Sequence, residues 1–188
     1  MTFTLEVLQI DGRTSGLITV VILLSTIPGA LFAKFFMRRA SPIVCMKLDL
    51  VIFIAFNSLA FFTLHGPDDM YLIWPYGAIW GFLLGWNFPV EVYMFASLMP
   101  KGQEAELTGF YFYFSLVLSW LPPFVVSTLN ENDISLNWGA AHLNIYFFLA
   151  LICYQILPPW TECVEVVSAQ NKMLSNKEKK DEFATNAL

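Results

Sequence analysis

The side chains best suited to chemistry in this sequence are a few polar residues set within long apolar stretches: Asn57, Asn87, Glu91, His142 and Asn144. A polar group costs free energy in lipid, so we expect each of them to face a partner side chain or water. A carboxylate at Glu91, two residues after Pro89, could carry a proton or hold a cytosolic gate. A carboxylate at the membrane interface explains Glu91 equally well, and an interfacial hydrogen bond is the commoner role for His142.

Patterns typical of enzymes are missing from the sequence. It contains no GxGxxG, P-loop or GxSxG pattern and no metal-ligand spacing, and its three cysteines, Cys45, Cys153 and Cys163, are scattered. A reduced, structural role is the default for such cysteines. We therefore expect no enzyme, no catalytic residue, no metal and no cofactor. The Lys-rich tail from Lys172 to Lys180 is interleaved with Glu178, Asp181 and Glu182, which argues against a nucleic-acid-binding patch.

The composition indicates a membrane protein. The chain has 188 residues, of which 57% are hydrophobic and 13% charged, with a mean hydropathy of +0.60. Soluble domains have about 25% charged residues. A bilayer core about 30 Å thick needs roughly 20 apolar residues of helix. Five runs approach that length, and buried helices of a soluble protein are the alternative explanation for any one of them. The predicted spans are 16–36, 42–64, 70–92, 107–129 and 134–158.

The predicted fold is an all-α, polytopic transmembrane helix bundle. The apolar residues run continuously instead of alternating, which excludes the pattern of a membrane barrel, and only helices satisfy their own backbone in lipid. We expect a lumenal N-terminal segment at 1–15, a transmembrane domain at 16–160 and a cytosolic, disordered tail at 161–188. The second span is the weakest, and Asp49 near its start is expected to lie close to an interface.

The distribution of charge predicts the orientation. If the chain crosses the membrane five times, nine of its ten basic residues fall on one side: Lys34, Arg38, Arg39, Lys47, Lys101, Lys172, Lys177, Lys179 and Lys180. Arg13 is alone on the other side, where the connections carry Asp68, Asp69, Glu131 and Asp133. Basic residues stay in the cytosol. The tail should therefore be cytosolic and the N-terminus lumenal or extracellular.

Small residues in the third span predict close helix packing. Gly77, Gly81 and Gly85 recur every four residues, so they share one helix face and allow a neighbouring backbone to approach. Plain packing is one explanation, and a helix pair that slides in a transporter gate is the other. Prolines predict kinks at Pro28 in the first span and at Pro122 and Pro123 in the fourth.

One segment resembles a known family. Residues 100–106 read P-K-G-Q-E-A-E and are followed by Gly109-Phe110-Tyr111 and Ser119-Trp120-Leu121. This resembles the signature of the vacuolar effluxer-like family, the autophagy-related branch of the major facilitator superfamily, in which P-x-G-x-E-A-E links the tenth and eleventh helices on the cytosolic side. The match is dense over about 20 residues, and a weaker resemblance extends from residue 16 to residue 157.

A second resemblance lies at the end of the first span. Gly29-Ala30-Leu31, Lys34 and Arg38-Arg39 are similar to the superfamily loop motif G-x-L-x-D-R-x-G-R-R. Ala33 replaces the acidic residue of that motif and Phe36 replaces its second glycine. The usual charge pair of the motif is therefore not available in this chain.

The resemblance implies a fold and a function. The five spans would correspond to helices eight to twelve of a twelve-helix transporter that exports amino acids from the vacuole by alternating access. Such transporters bind their substrate between two six-helix halves, so the expected partners are the bilayer, a small-molecule substrate and a missing N-terminal half or partner chain. The chain could be a truncated gene model, a split gene or a degenerate paralogue. The alternative function is a non-transporting membrane scaffold that works only with other chains.

The residues of the segment from Pro100 to Glu106 also predict a cytosolic gate. Pro100 should end the third span and Gly102 should allow a tight turn. Glu104 and Glu106 would then begin the fourth helix, where the helix dipole favours carboxylates. Ion pairs with Lys34, Arg38 and Arg39 would hold the cytosolic side closed. The alternative is that the two glutamates only cap the helix.

Overall fold

The computed structural model describes residues 11–63, 71–131 and 137–186, and this part of the chain is helical with no strand. Residues 1–10 of the predicted lumenal segment, and Asp68, Asp69 and Asp133 of the predicted acidic connections, lie outside the described residues. In chain order the helices are α1 (Gly12–Met37), α2 (Pro42–Thr63), α3 (Ile73–Ser97), α4 (Glu104–Ser119), α5 (Leu121–Glu131), α6 (Asn137–Ile156) and α7 (Trp160–Asn186).

Within the described ranges, three stretches of helix are long and apolar enough to cross a membrane: α1, α2, and α4 with α5 from Glu104 to Leu129. A fourth is possible where α6 from His142 continues into α7, across a bend of 65°. The prediction of an all-α protein is confirmed, and several apolar helices suit a polytopic bundle. The third predicted span, α3, is not among these candidates because tryptophan, glycine, proline, Asn87 and Glu91 lower its hydropathy.

Helix α3 has a lower hydropathy than the three candidate spans, yet it is central in the bundle. Eight residues of α3 are buried, among them Leu83, Trp86 and Val90. It packs closely against α1 and also contacts α2. A helix that faces other helices needs less apolar surface than one that faces lipid, which explains how α3 occupies the centre with its lower hydropathy.

Helices α1 and α3 pack backbone to backbone. A β-carbon added at Gly81 would overlap the carbonyl oxygen of Ile22, and one added at Gly85 would overlap that of Thr26. From the other side, a β-carbon at Gly29 would overlap the carbonyl oxygen of Phe82. The contact residues increase in number together along the two helices, from Ile22 with Gly81 to Thr26 with Gly85, so the two helices run parallel. The predicted close approach is therefore confirmed at Gly81 and Gly85.

Gly77 differs from the two glycines that follow it. A β-carbon there would lie 3.4 Å from Cγ2 of Ile18 and 3.5 Å from Cγ1 of Ile22, which are ordinary contacts with side chains. The spacing of four residues correctly places all three glycines on one face, and all three are buried. Only the last two bring main chains together, because the helices diverge toward the start of α3.

The core lies where α1, α2 and α3 meet. Its buried members include Ala33, Phe53, Leu83, Trp86 and Val90. Aromatic rings fill the spaces between them: the rings of Phe32 and Trp86 lie 4.9 Å apart, edge to face. Because burial of apolar side chains is strongest here, this part of the bundle positions the polar groups described below.

The fourth predicted span is interrupted. Helix α4 ends at Ser119 and α5 begins at Leu121, immediately before Pro122 and Pro123, as those prolines predict. By contrast, α1 continues as one helix through Pro28. None of the residues of α4 is buried, so this segment contributes little to the core of the described bundle.

The end of the chain corrects one expectation. The sequence predicts a disordered tail at 161–188, whereas the structure forms α7 through Asn186. One face of α7 is apolar and packs inward, although the high charge of the segment suggests disorder. Trp160, Val164 and Val167 lie on this face, and all three are partly buried. The amide oxygen of Asn171 accepts a 2.8 Å hydrogen bond from the backbone N–H of Lys101, so α7 is attached to the connection between α3 and α4.

Candidate functional site

The most deeply buried polar contact joins α2 to α3. Asp49 is fully buried, and its Oδ2 accepts a 2.9 Å hydrogen bond from Nδ2 of Asn87. The same amide nitrogen lies 4.0 Å from the sulfur of Met46. Cys45, Leu50 and Phe53, which lie within four residues of Asp49 on α2, are also buried. The expectation that Asn87 faces a partner is thereby confirmed, and that partner is a carboxylate.

The second carboxylate oxygen has a different environment. Oδ1 of Asp49 is buried and accepts no hydrogen bond from the described residues. The indole N–H of Trp86, whose ring packs against Phe32 and Phe36 of α1, is also buried and has no acceptor in the part of the chain that the structure describes. Native proteins leave few buried polar atoms without a partner, so Oδ1 of Asp49 is an unusual feature of the contact between α2 and α3.

Three hydrogen bonds between described side chains join α2 to α6. Nδ2 of Asn57 donates to Oδ1 of Asn144 at 3.2 Å, and Nδ2 of Asn144 donates to Oγ of Ser58 at 3.0 Å. Farther along, Nζ of Lys47 donates to Oε1 of Gln155 at 3.1 Å. Asn57 and Asn144 therefore face each other, as amide groups in an apolar bundle should.

Glu91 connects α3 to α4. The hydroxyl of Tyr111 donates to Oε1 of Glu91 at 2.7 Å, and the ring of Tyr111 stacks on that of Phe95 with 4.6 Å between centroids. These contacts hold the first half of α4 against α3. The predicted role of Glu91 in a gate or a proton pathway remains a prediction, and its partner in this arrangement is a tyrosine of the signature segment.

His142 is buried at the start of the apolar part of α6. Its ring meets the ring of Tyr146 edge to face, with centroids 5.6 Å apart. The side chain therefore packs within the bundle, one helical turn before Tyr146. Its predicted role in a pathway remains a prediction.

The turn between α3 and α4 has the form that the sequence predicts. Gly102 has φ +84°, a conformation that favours glycine. Pro100 is buried just after the end of α3. Glu104 and Glu106 occupy the first turn of α4, and Oε2 of Glu104 accepts a 2.8 Å hydrogen bond from the N–H of Gly102.

The predicted ion pairs across the cytosolic face are not formed in this arrangement. Among the described residues, the contact of Glu104 is local, and the guanidinium of Arg39 lies 4.4 Å above the ring of Phe35. Lys34 and Arg38 are exposed. Glu104 binds the turn that precedes α4, and the N-cap residue Gln103 forms no side-chain cap hydrogen bond. Both the capping role and the gate therefore remain predictions.

A small cleft lies beside this turn. It has a volume of about 280 Å³ and is lined by Lys101, Gly102, Gln103, Asn171, Leu174 and Ser175. The cleft is formed by the docking of α7 on the turn. Among the described residues, no group of three histidine, cysteine, aspartate or glutamate side chains is placed to hold a metal ion.

Sequence reasoning missed Asp49 as a site residue. A single carboxylate near the start of an apolar run is ordinarily assigned to the membrane interface, as it was here. The signal that could have found it is the pair formed with Asn87, which lies in another span. That pairing depends on how two helices pack, which a single sequence does not reveal.

Comparison of the chain with protein-family models, with curated proteins and with solved structures gave no match. The resemblance to the effluxer-like family therefore depends on the motif residues alone.

Proposed function

We propose that this chain is a membrane transporter of the major facilitator type, or part of one, and that it exports amino acids from the vacuole in connection with autophagy. The observation that carries the proposal is the contact between Asp49 and Asn87, a buried carboxylate and amide within otherwise apolar helices. Ionisable groups inside membrane helices are expensive and mark substrate or ion pathways. The family and substrate come from the resemblance of residues 100–121 to the effluxer signature.

The proposal includes five membrane spans. Contacts between described helices support it, because α1 and α3 run parallel while α2 runs against α3 and α6. A chain that crosses a bilayer in alternating directions has this arrangement. Here α3 serves as the third span despite its lower hydropathy, and the vacuolar membrane with a cytosolic C-terminus is the proposed location.

The proposed arrangement collects the basic residues at one end of the bundle. Lys47 meets Gln155 near the end of α6, and the N–H of Lys101 binds Asn171 in α7. Lys34, Arg38 and Arg39 lie where α1 turns into α2. One basic end is the pattern of a cytosolic face.

A second candidate function is a membrane scaffold that acts only with other chains. It is favoured by α4, in which Phe112, Tyr113, Phe114 and Leu116 are exposed and no residue is buried. Such a helix requires lipid or another protein chain. A transporter half and a scaffold both satisfy this requirement, so transport itself must be measured.

The deciding experiment is amino-acid exchange in proteoliposomes. The purified full chain would be reconstituted into vesicles loaded with unlabelled amino acids, and entry of labelled amino acids would be followed. We expect entry above that of protein-free vesicles, with a lower rate in Asn87→Leu and an unchanged rate in Gly16→Ala, where a β-carbon meets no atom within 4 Å. Folded chain that gives no exchange, alone or with a co-expressed N-terminal half, would favour the scaffold.

A further inference from the structure

We propose that Asp49 is a proton-binding site, neutral while α2 and α3 are packed together and ionised when their contact at Asn87 opens to water. The proposal goes beyond the transport function, because it names the ion and the residue that holds it. Its first part, the bound proton, depends only on the environment of the carboxyl group. Its second part, coupling to transport, rests on the proposed function.

The environment of Asp49 does not suit a charge. The residue is 0% exposed, and one amide N–H is its only hydrogen-bond donor among the described residues. An ionised carboxylate has two oxygens that require donors or a cation, and burial without them strongly disfavours the charged form. A neutral carboxylic acid requires less: Oδ2 accepts from Asn87 as a carbonyl oxygen, while Oδ1 carries the proton.

The charged and titratable groups on the surrounding helices do not neutralise or hydrogen-bond an ionised carboxylate at Asp49. On α2, Lys47 is bound to Gln155 and the thiol of Cys45 donates to the carbonyl of Ala40. On α3, Glu91 accepts from Tyr111, and on α6 Tyr154 packs against the core. On α1, Lys34 and Arg38 are exposed and Arg39 lies over Phe35. None of these described groups donates to Asp49.

A proton fits this site better than a metal ion. A hard cation is held by several oxygen ligands, whereas the described residues place no group of three acidic, histidine or cysteine side chains together. A proton needs only one oxygen and removes the whole charge. The chemistry is simple: Oδ1 gives its proton to water when the contact opens and takes one from water before it closes.

The position of Asp49 provides a short route for that proton. It stands seven residues after Pro42, about 10 Å from the start of α2 at 1.5 Å per residue. This start lies at the basic end of the bundle, next to Arg38 and Arg39. A modest separation of α2 from α3 at that end would admit water to the carboxyl group, without opening the aromatic core beyond Phe53.

The bound proton can be observed by infrared spectroscopy of the full chain in lipid nanodiscs at neutral pH. A protonated carboxyl group has a carbonyl-stretch band that an ionised carboxylate lacks. We expect the spectrum of the parent minus that of Asp49→Asn to contain this band, and the spectrum of the parent minus that of Glu91→Gln to lack it. Loss of carboxylate bands instead, on substitution of Asp49, would overturn the proposal.

A second measurement covers the case in which Asp49→Asn fails to fold. A chain in which Asp68, Asp69, Asp133 and Asp181 are replaced by asparagine would be labelled with ¹³C at its two remaining aspartate carboxyl groups, those of Asp11 and Asp49. The exposed Asp11 should be ionised at neutral pH, so a label-shifted band of a neutral acid is expected from the buried Asp49. Absence of that band would overturn the proposal.

Coupling is tested by transport, separately from the bound proton. In proteoliposomes, an imposed proton gradient should accelerate amino-acid uptake at least tenfold in the parent, and Asp49→Asn should abolish that acceleration. Acceleration by a sodium gradient instead, or equal proton dependence in the variant, would overturn coupling through Asp49. A parent that moves no amino acid refutes the proposed function, while the infrared band decides the proton site independently.

Discussion

Gly85 lies against the main chain of Thr26 so closely that a single added methyl group would overlap the Thr26 carbonyl oxygen. The contact joins α1 to α3 across parallel helices and repeats one turn earlier between Gly81 and Ile22. Membrane helices use small residues in this way to bring backbones together. The contact is therefore the structural basis of the pair at the centre of the bundle.

Alanine at Gly85 should destabilise the protein, with Gly77→Ala as a matched control. The new methyl group meets backbone at position 85, and the helices must separate, at a cost of about 1–3 kcal/mol. At position 77 it would only touch the side chains of Ile18 and Ile22. We expect a lower thermal midpoint of unfolding in detergent for Gly85→Ala than for Gly77→Ala, and the same for Gly81→Leu. Equal midpoints for the two alanine variants would contradict the observed packing.

Removing the amide of Asn144 should weaken the contact between α2 and α6. Asn144→Leu deletes hydrogen bonds with Asn57 and Ser58, and such bonds contribute about 0.6 kcal/mol on average in membrane bundles. Gln155→Leu is the control, because Gln155 is exposed and its bond to Lys47 competes with water. Unfolding in a denaturing detergent should be shifted more by Asn144→Leu. A larger shift in the Gln155 variant would show that the exposed contact is the stronger.

The hydroxyl of Tyr111 should determine how firmly α4 is held. Tyr111→Phe keeps the stacking on Phe95 but removes the 2.7 Å bond to Glu91. Amide hydrogen exchange in the first half of α4 should become faster in this variant. Tyr113→Phe is the control, because the side chain of Tyr113 is exposed. Identical exchange in the two variants would mean that stacking alone attaches α4 to α3.

Alanine at Gly102 should disturb the turn that begins α4. The backbone there has φ +84°, and left-handed geometry costs about 1–2 kcal/mol for a residue with a β-carbon. Gly102→Asn is expected to be tolerated better, since asparagine visits this conformation. Limited proteolysis of the turn should reveal the difference as faster cleavage of the alanine variant. Equal cleavage would indicate that the turn adopts another conformation in the membrane.

The two ends of the bundle should lie on opposite sides of the membrane. In a cysteine-free background, Arg38→Cys should react with an impermeant reagent applied from the cytosolic side, and Glu131→Cys with reagent from the other side. Both positions are exposed. The expectation follows from the alternation of helix direction and from the basic end. Reaction of both cysteines from one side would exclude the five-span arrangement.

Much of the helical architecture could be predicted from the sequence, because it depends on local signals. The apolar runs predict α1 and α2, and the prolines predict the break at Trp120. Gly81 and Gly85 are identified by their spacing alone. The predicted C-terminal end of α3 agrees less well with the structure. The helix extends to Ser97, beyond the predicted residue 92, because Val90 and Met94 continue its buried face.

The candidate site was harder to predict because it depends on hydrogen-bonded pairs of residues from different helices. Asn87 and Asn144 were identified individually, yet their partners Asp49 and Ser58 come from α2. Hydropathy treats each residue separately and cannot distinguish a carboxylate at an interface from one buried against an amide. Helix α7 was not predicted for a similar reason. Its apolar face is buried only because α7 packs on the turn at Lys101, and that contact cannot be deduced from the sequence of the segment alone.

The polar bonds between α2 and α6 also restrict how these helices can move. Lys47 pairs with Gln155, and ten residues later in α2 Asn57 pairs with Asn144, eleven residues earlier in α6. Both pairs therefore belong to one antiparallel register. A slide of one turn, about 5.4 Å, would bring Asn57 beside Phe147 or Phe148 and Lys47 beside the prolines at 158 and 159. In any large motion, α2 and α6 should therefore move together as one rigid body, and the change in helix packing should occur at the contact between α2 and α3.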